Sequence, residues 1–346
     1  MNNMMNDSEM LGHLGHALTD PARERMSLLA EANALCDLME RRSTLPSPAG
    51  TTLGLDNTLL DSGLALSPAA AALCARQQLR TIVFVRAVHA AIEAQAATAD
   101  GPVRVLYAGC GPYAPLALPL MALLGPRRAV FTLLDIHEAS IGHLRALVED
   151  LGLSACVDGY VQADATRHRI DPARPPHVIV SETMNAALRT EPQVAIARHL
   201  VAQAPAALLV PERVIVSACL LDPAAELTPP LQPGEPVPPL RRDRIDLGSV
   251  FELSRATIGA WRGLDGTTLP AATVTVPPAL APRYAARLLT RIDAFGPHRL
   301  DDYESSLNLP QRLPGRPVLT GGERLAFEYR LGSEPGLVCR VEKAPT

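Results

Sequence analysis

Short apolar runs succeed one another along this chain, and their period changes with position. Residues 20–42, DPARERMSLLAEANALCDLMERR, place apolar side chains three and four apart behind an Asp-Pro start, which predicts a helix with proline in its first turn. The segment STLPSPAGTT at 43–52 breaks that period with proline, serine and glycine and reads as a linker. Helical spacing returns over 67–96, which opens on Ser67-Pro68 and has room for one or two helices.

From Val103 the pattern alternates. Strands are expected at 103–108, 129–134, 159–162 and 178–180, with helices at 115–124, 139–151 and 193–203, before the apolar run 207–210. Apolar strands alternating with helices predict a parallel sheet covered on both faces. Beyond 210 the helical period fades into short Val/Ile/Leu runs that read as mostly β, interrupted by a proline-rich stretch from Asp222 to Pro239. That stretch suits a surface loop or an arm toward another subunit equally well. Three segments result: a helical appendage with its linker at 1–52, an α/β domain at 53–210 and a β domain at 211–346.

Composition narrows the chemistry. With 346 residues and 47% hydrophobic content the chain can bury two ordinary cores, and its formal charge of −4 offers no basic footprint for nucleic acid or an anionic membrane. Lysine occurs once, at Lys343, against 31 arginines, so a phosphate-loop lysine or a Schiff-base lysine has no candidate. The six cysteines, at 36, 74, 110, 156, 219 and 339, show no metal-ligand spacing and no disulfide framework, and no metal site is expected. The N-terminal residues MNNMMNDSEM lack a basic segment followed by an apolar one, and no apolar run reaches membrane-spanning length. A soluble cytoplasmic protein is the expectation.

Three strand ends carry candidate ligand chemistry. VLYAGCGPY, 105–113, puts Gly109, Cys110 and Gly111 where the first parallel strand turns into a helix, so the backbone can approach a ligand at the carboxyl edge of the sheet. The next strand ends in Asp135, a candidate acceptor for ribose hydroxyls, and the third in QADATR, where Asp164 and the Ala165 amide suit an adenine. An adenosine-type ligand is expected. GCGPYA lacks the third glycine of the dinucleotide fingerprint, which disfavours NAD, whereas an amino-acid tail needs a cation that Arg80 or Arg86 can supply.

A fourth strand runs into SETMNAALRTE, 181–191, with Glu182 and Glu191 on one short segment. Two such carboxylates repel unless a cation stands between them.

The order of a GxG turn, a strand-end acid, SETMNAALRTE and LLVPERVIV resembles the protein arginine methyltransferases, whose double-glutamate loop has the form S-E-x-M-x-x-x-L-x-x-E, met here by Ser181, Glu182, Met184, Leu188 and Glu191. The resemblance implies an α/β plus β architecture: a Rossmann-like class I methyltransferase domain followed by a β-barrel, with an extra N-terminal helical segment. It implies S-adenosylmethionine as cofactor, with its carboxylate held by Arg80 of QLRT, and a homodimer. It further implies that Glu182 and Glu191 clamp a guanidinium, with Met184 beside the substrate. A guanidinium is planar, permanently charged and able to make paired hydrogen bonds to a carboxylate.

Departures from the family pattern bear on the substrate. The family's Thr-His-Trp loop should fall within YESSLNLPQ, 303–311, where Ser306, Leu307 and Asn308 stand instead; His298 of FGPHRL reads first as a surface-loop histidine and second as a spatial substitute. The family's aromatic-rich covering helix is replaced by LLDSGLALSPAA in a chain with 3% aromatic residues. These changes favour a small enclosed substrate, and the chain resembles most a bacterial natural-product branch acting on free L-arginine. The 20–42 helix either closes such a pocket or serves packing or dimerisation. Methylation of protein arginine and a non-catalytic scaffold are the rival readings.

Overall fold

The computed structural model describes residues 6–46, 56–227 and 242–342. Most of the expected linker (47–52) and of the proline-rich stretch (228–239) therefore lies outside the described residues. The chain opens with α1 (Asp7–Thr19), capped reciprocally: Asn6 Oδ1 accepts from the Glu9 amide at 2.8 Å and the Glu9 carboxylate accepts from the Asn6 amide at 3.1 Å. No helix was expected there. The next one, α2 (Leu29–Arg42), starts well after residue 20, and the cause is Arg86. Its guanidinium binds the carbonyls of Leu18, Asp20 and Arg23 at 2.7–2.8 Å and so holds the connection between the two helices, while the Asp20 side chain closes a tight turn by accepting from Ala22 N. Arg86 is thereby also removed as a candidate for a ligand carboxylate.

β1 (Thr58–Leu60) and β2 (Gly63–Ala65) form a hairpin in place of a covering helix, and α3 (Pro68–Cys74) follows a Ser67 cap. Next, α4 (Gln78–Ala96) is apolar around most of its circumference because it packs against α1 and α2 on one side and strands of both sheet systems on the others.

The α/β unit then alternates: β3 (Val103–Ala108), α5 (Leu118–Leu124), β4 (Ala129–Asp135), α6 (Glu138–Asp150), β5 (Val157–Gln162), β6 (Val178–Ser181), α7 (Gln193–Gln203) and β7 (Leu208–Val210). Its sheet is parallel throughout, in the order β5-β4-β3-β6-β7. The chain builds outward from β3 to β5 and then crosses back to β6. That reversal opens a crevice at the carboxyl ends of β3, β4 and β6, where such sheets bind ligands.

Antiparallel strands follow: β8 (Arg213–Leu221), β9 (Arg244–Ser254), the short helix α8 (Arg255–Ala260), β10 (Thr268–Thr275), β11 (Ala285–Phe295), β12 (His298–Leu300), β13 (Gln311–Arg312), β14 (Arg324–Arg330) and β15 (Gly336–Glu342). One sheet runs β12-β11-β8-β9, with β13 also on β11, and the other β10-β14-β15. Phe251 of β9 stacks on Trp261 at 5.5 Å and on Tyr329 of β14 at 4.6 Å, joining the two sheets. The arrangement is barrel-like, and among the described residues no strand pairing closes it fully. None of the described helices is long and apolar enough to cross a membrane.

The N-terminal helices are built into this core. At Gly15, in the buried face of α1, an added Cβ would stand 2.3 Å from the Pro119 carbonyl oxygen of α5. Gly15→Ala should therefore destabilise the protein by about 1–3 kcal/mol, as forced overpacking does, measured by denaturant unfolding. An unchanged midpoint would mean that α1 does not dock on α5 in this way.

Candidate active site

The glycine turn after β3 is shaped by what must pass close to it. Gly109 and Gly111 both adopt left-handed backbone, with φ of 75° and 62°. A Cβ on Gly109 would lie 2.2 Å from Thr183 Cγ2, so only glycine lets the segment after β6 approach. The Gly111 amide donates to Asp135 Oδ2 and the His137 amide to Asp135 Oδ1, both at 2.9 Å. His137 Nε2 lies 3.1 Å from Thr58 Oγ1, which ties the hairpin to the same acid. Asp164 Oδ1 takes the Thr166 amide and hydroxyl at 2.8 and 2.7 Å, leaving Oδ2 for another donor.

Arg80, in the first turn of α4, donates through Nε to Glu182 Oε1, and the two side chains are only 7% and 8% exposed. Glu191 is equally buried. Burial pushes its carboxyl up to about 7, with the Arg80 charge pulling it down and the Glu182 charge pushing it up. Burial disfavours the charge on Arg80, but the neighbouring carboxylates outweigh it and raise its pKa further. With all three ionised the trio carries one uncompensated negative charge. At neutral pH that charge is balanced either by a proton on Glu191 or by a second cation.

The segment joining the glutamates is strained and braced from several sides. Ala187, Leu188 and Thr190 are non-glycine residues with φ of 59°, 53° and 60°. Thr290 Oγ1 of β11 accepts from the Ala187 amide at 2.8 Å, the Tyr329 hydroxyl donates to the Leu188 carbonyl at 2.8 Å, and the Thr190 amide donates to the Pro335 carbonyl at 2.9 Å. The hairpin adds a bond from the Leu64 amide to the Thr190 carbonyl at 2.7 Å, and Gly63 is obligatory because its Cβ would stand 2.6 Å from that oxygen. Buried Gln193 holds the start of the segment, accepting from the Thr183 amide at 2.9 Å and donating to the Ser181 carbonyl at 2.7 Å. Sequence reasoning missed these braces, because a threonine or glutamine on a strand or helix carries no local mark of such a partner.

Arg80, Gly109, Cys110, Gly111, Asp135, Asp164, Ala165, Glu182 and Glu191 all wall one cavity of about 100 Å³, roofed by Leu60 and Leu64 of the hairpin. Met184 is buried but is not among its walls. Burial pushes the Cys74 and Cys110 thiols up, so neither is an activated nucleophile. No residue of α1 or α2 lines the cavity. Asn308 is fully buried and donates to the carbonyls of Thr290 and Leu300, a structural bond set. His298, on β12, sits near Arg86 and His89 with its pKa lowered chiefly by burial, away from the glutamates. A wider groove of about 1020 Å³ runs along α7, α8 and β9, but its walls include neither glutamate and its Arg213 is paired with Glu252 at 2.8 Å.

No family model and no curated protein matches the chain. Among solved structures it is similar to PRMT6, at 14% identity and a TM-score of 0.45 over 75% of this chain and 95% of that one. It is also similar to Arabidopsis thaliana protein arginine methyltransferase 10 in an open conformation, at 11% identity and a TM-score of 0.43 over 77% of this chain and 90% of that one.

The raised pKa of Glu191 has a definite sign in stability. Its folded value of about 7 exceeds the 4.5 usual for a glutamate, so the native state holds the extra proton, and the stability it contributes at low pH is lost as pH rises through 7. Glu191→Gln, permanently neutral, should match the parent near pH 4.5 and exceed it at pH 8 by about 2–3 kcal/mol in denaturant unfolding. A difference independent of pH would show that Glu191 ionises normally.

Proposed function

We propose that the chain is an S-adenosylmethionine-dependent N-methyltransferase acting on the guanidino group of free L-arginine or a closely related small molecule, in natural-product biosynthesis. One observation carries the reading: a buried Arg80–Glu182 pair and a second buried carboxylate, Glu191, line one cavity beside a glycine turn at the switch point of a parallel sheet, with one negative charge left to neutralise. A substrate guanidinium is a cation of the right shape for that position. A homodimer and a cytoplasmic location belong to the same proposal.

The side chains present fit the cofactor. Only Nε of Arg80 is used by Glu182, so its two terminal nitrogens remain to grip a carboxylate in a bidentate pair. Asp135 has lone pairs left for ribose hydroxyls, Asp164 Oδ2 and the Ala165 amide suit an adenine edge, and the turn at Gly109, Cys110 and Gly111 brings backbone close. When bound, S-adenosylmethionine supplies an electrophilic methyl group on a sulfonium.

The glutamates would then do two things. Glu182 and Glu191 draw the guanidinium charge toward the nitrogens they bind, which leaves the remaining nitrogen electron-rich and aimed at the methyl carbon. Methylation would require that nitrogen to give up a proton, and the Glu191 carboxylate, its pKa raised to about 7, could accept it at neutral pH. The cavity, about 100 Å³, lies under Leu60 and Leu64 of the hairpin, which would stand over a bound cofactor. The hairpin's outer ties are weak: Asp61 pairs with Arg167 at 2.7 Å with both side chains largely exposed.

The test offers the purified protein and cofactor free arginine and an arginine-rich peptide in parallel, read by mass spectrometry. Free arginine should gain methyl groups. Label on the peptide alone would contradict the small-molecule reading, and label on neither, with cofactor bound, would leave a scaffold. In the same assay Glu182→Gln and Glu191→Gln should each lower turnover by about 10²-fold or more, the scale of lost preorganised charge. Affinity for S-adenosylhomocysteine should hardly move in either variant; near-normal turnover in one would take that glutamate out of the clamp.

A further inference from the structure

The segment between the glutamates also borders a second depression that the proposed reaction does not use. Arg189 from that segment, Arg312 of β13, Arg316 and Arg330 of β14 converge on a groove of about 280 Å³, and no aspartate or glutamate is among its walls. Three of these guanidinium groups, those of Arg189, Arg312 and Arg316, make no hydrogen bond or ion pair to any described residue. Arg330 reaches only the carbonyl of Glu334 at 3.1 Å and its highly exposed carboxylate at 3.4 Å.

This concentration of charge is not a by-product of a basic chain, whose formal charge is −4. Elsewhere arginines find carboxylates readily: Arg244 takes Glu226 and Asp302, Arg25 takes Glu304, and Arg76 takes Asp37 and Glu40. The β-ladder makes the groove's repulsion worse, because Arg287 of β11 stands directly opposite Arg312, an unfavourable like-charge pair. Arg316 is moreover presented from a tight turn, after Gly315, in left-handed backbone with φ of 48°. Unneutralised like charges gathered in one groove suit an anion.

We propose that this groove binds a phosphoryl group. Guanidinium forks match the oxygens of phosphate in paired hydrogen bonds, and several forks around one pocket suit a multivalent oxyanion better than a single carboxylate. The groove has room for one or two phosphoryl groups. The proposal is independent of the methyltransferase reading.

Pyrophosphate titrated into the protein by calorimetry, at ionic strength matched with sodium chloride, should bind saturably at one site. Arg312→Ala/Arg316→Ala should weaken that binding by at least about tenfold, and Arg312→Lys/Arg316→Lys, which keeps charge but loses the fork, should also weaken it. Both positions are exposed, and circular dichroism confirms the fold of each variant. Inorganic phosphate should bind more weakly than pyrophosphate. Equal affinity in the alanine variant, no saturation above the chloride control, or tighter binding of citrate than of pyrophosphate would each overturn the assignment.

Discussion

Arg80 and Glu182 are buried against each other while a second carboxylate, Glu191, shares their cavity. Burying one ion pair roughly breaks even, because desolvation offsets attraction, but an added like charge cannot be tolerated without compensation. Burial first, and the Glu182 charge after it, raise the Glu191 carboxyl to about 7, so that protonation offers the compensation. On the proposed reading, a bound guanidinium would replace that proton. The glycine turn, the hairpin roof and the bracing of the 182–191 segment all serve to keep this trio dry and in place.

Holding two glutamates there requires backbone that L-residues resist. Three left-handed positions, Ala187, Leu188 and Thr190, fold the segment back so that Glu191 and Glu182 line one cavity, and their strain is offset by bonds from three distant places. Tyr329 is the clearest case: its ring is locked in the stack with Phe251 that joins the two antiparallel sheets, and its hydroxyl ends on the Leu188 carbonyl. The β-rich half thereby positions the candidate site without contributing a residue to the cavity walls.

How legible this was in sequence follows from how local each feature is. The alternation after Val103 and the glycine turn were readable because strand, turn and helix are set by neighbours, and the glutamates were readable because both sit on one short segment. The start of α2 was not, since Arg86, 63 residues from Arg23, holds the connection between α1 and α2. The braces from Thr290 and Tyr329 act across 103 and 141 residues and left no trace in any period. Met184 illustrates the limit of a motif: its position is fixed within the pattern, but here its side chain is packed in the core rather than on the cavity wall.

The central claim is that a proton on Glu191 and a bound guanidinium are alternative ways of neutralising one buried charge. Calorimetric titration of L-arginine into the cofactor-saturated protein, repeated in buffers of different ionisation enthalpy, counts the protons exchanged on binding. At pH 6, below the raised value of about 7, close to one proton should be released per arginine bound, falling toward zero at pH 8.5 while affinity rises to a plateau. Binding with no proton release at pH 6, or affinity that does not change between the two, would contradict the account.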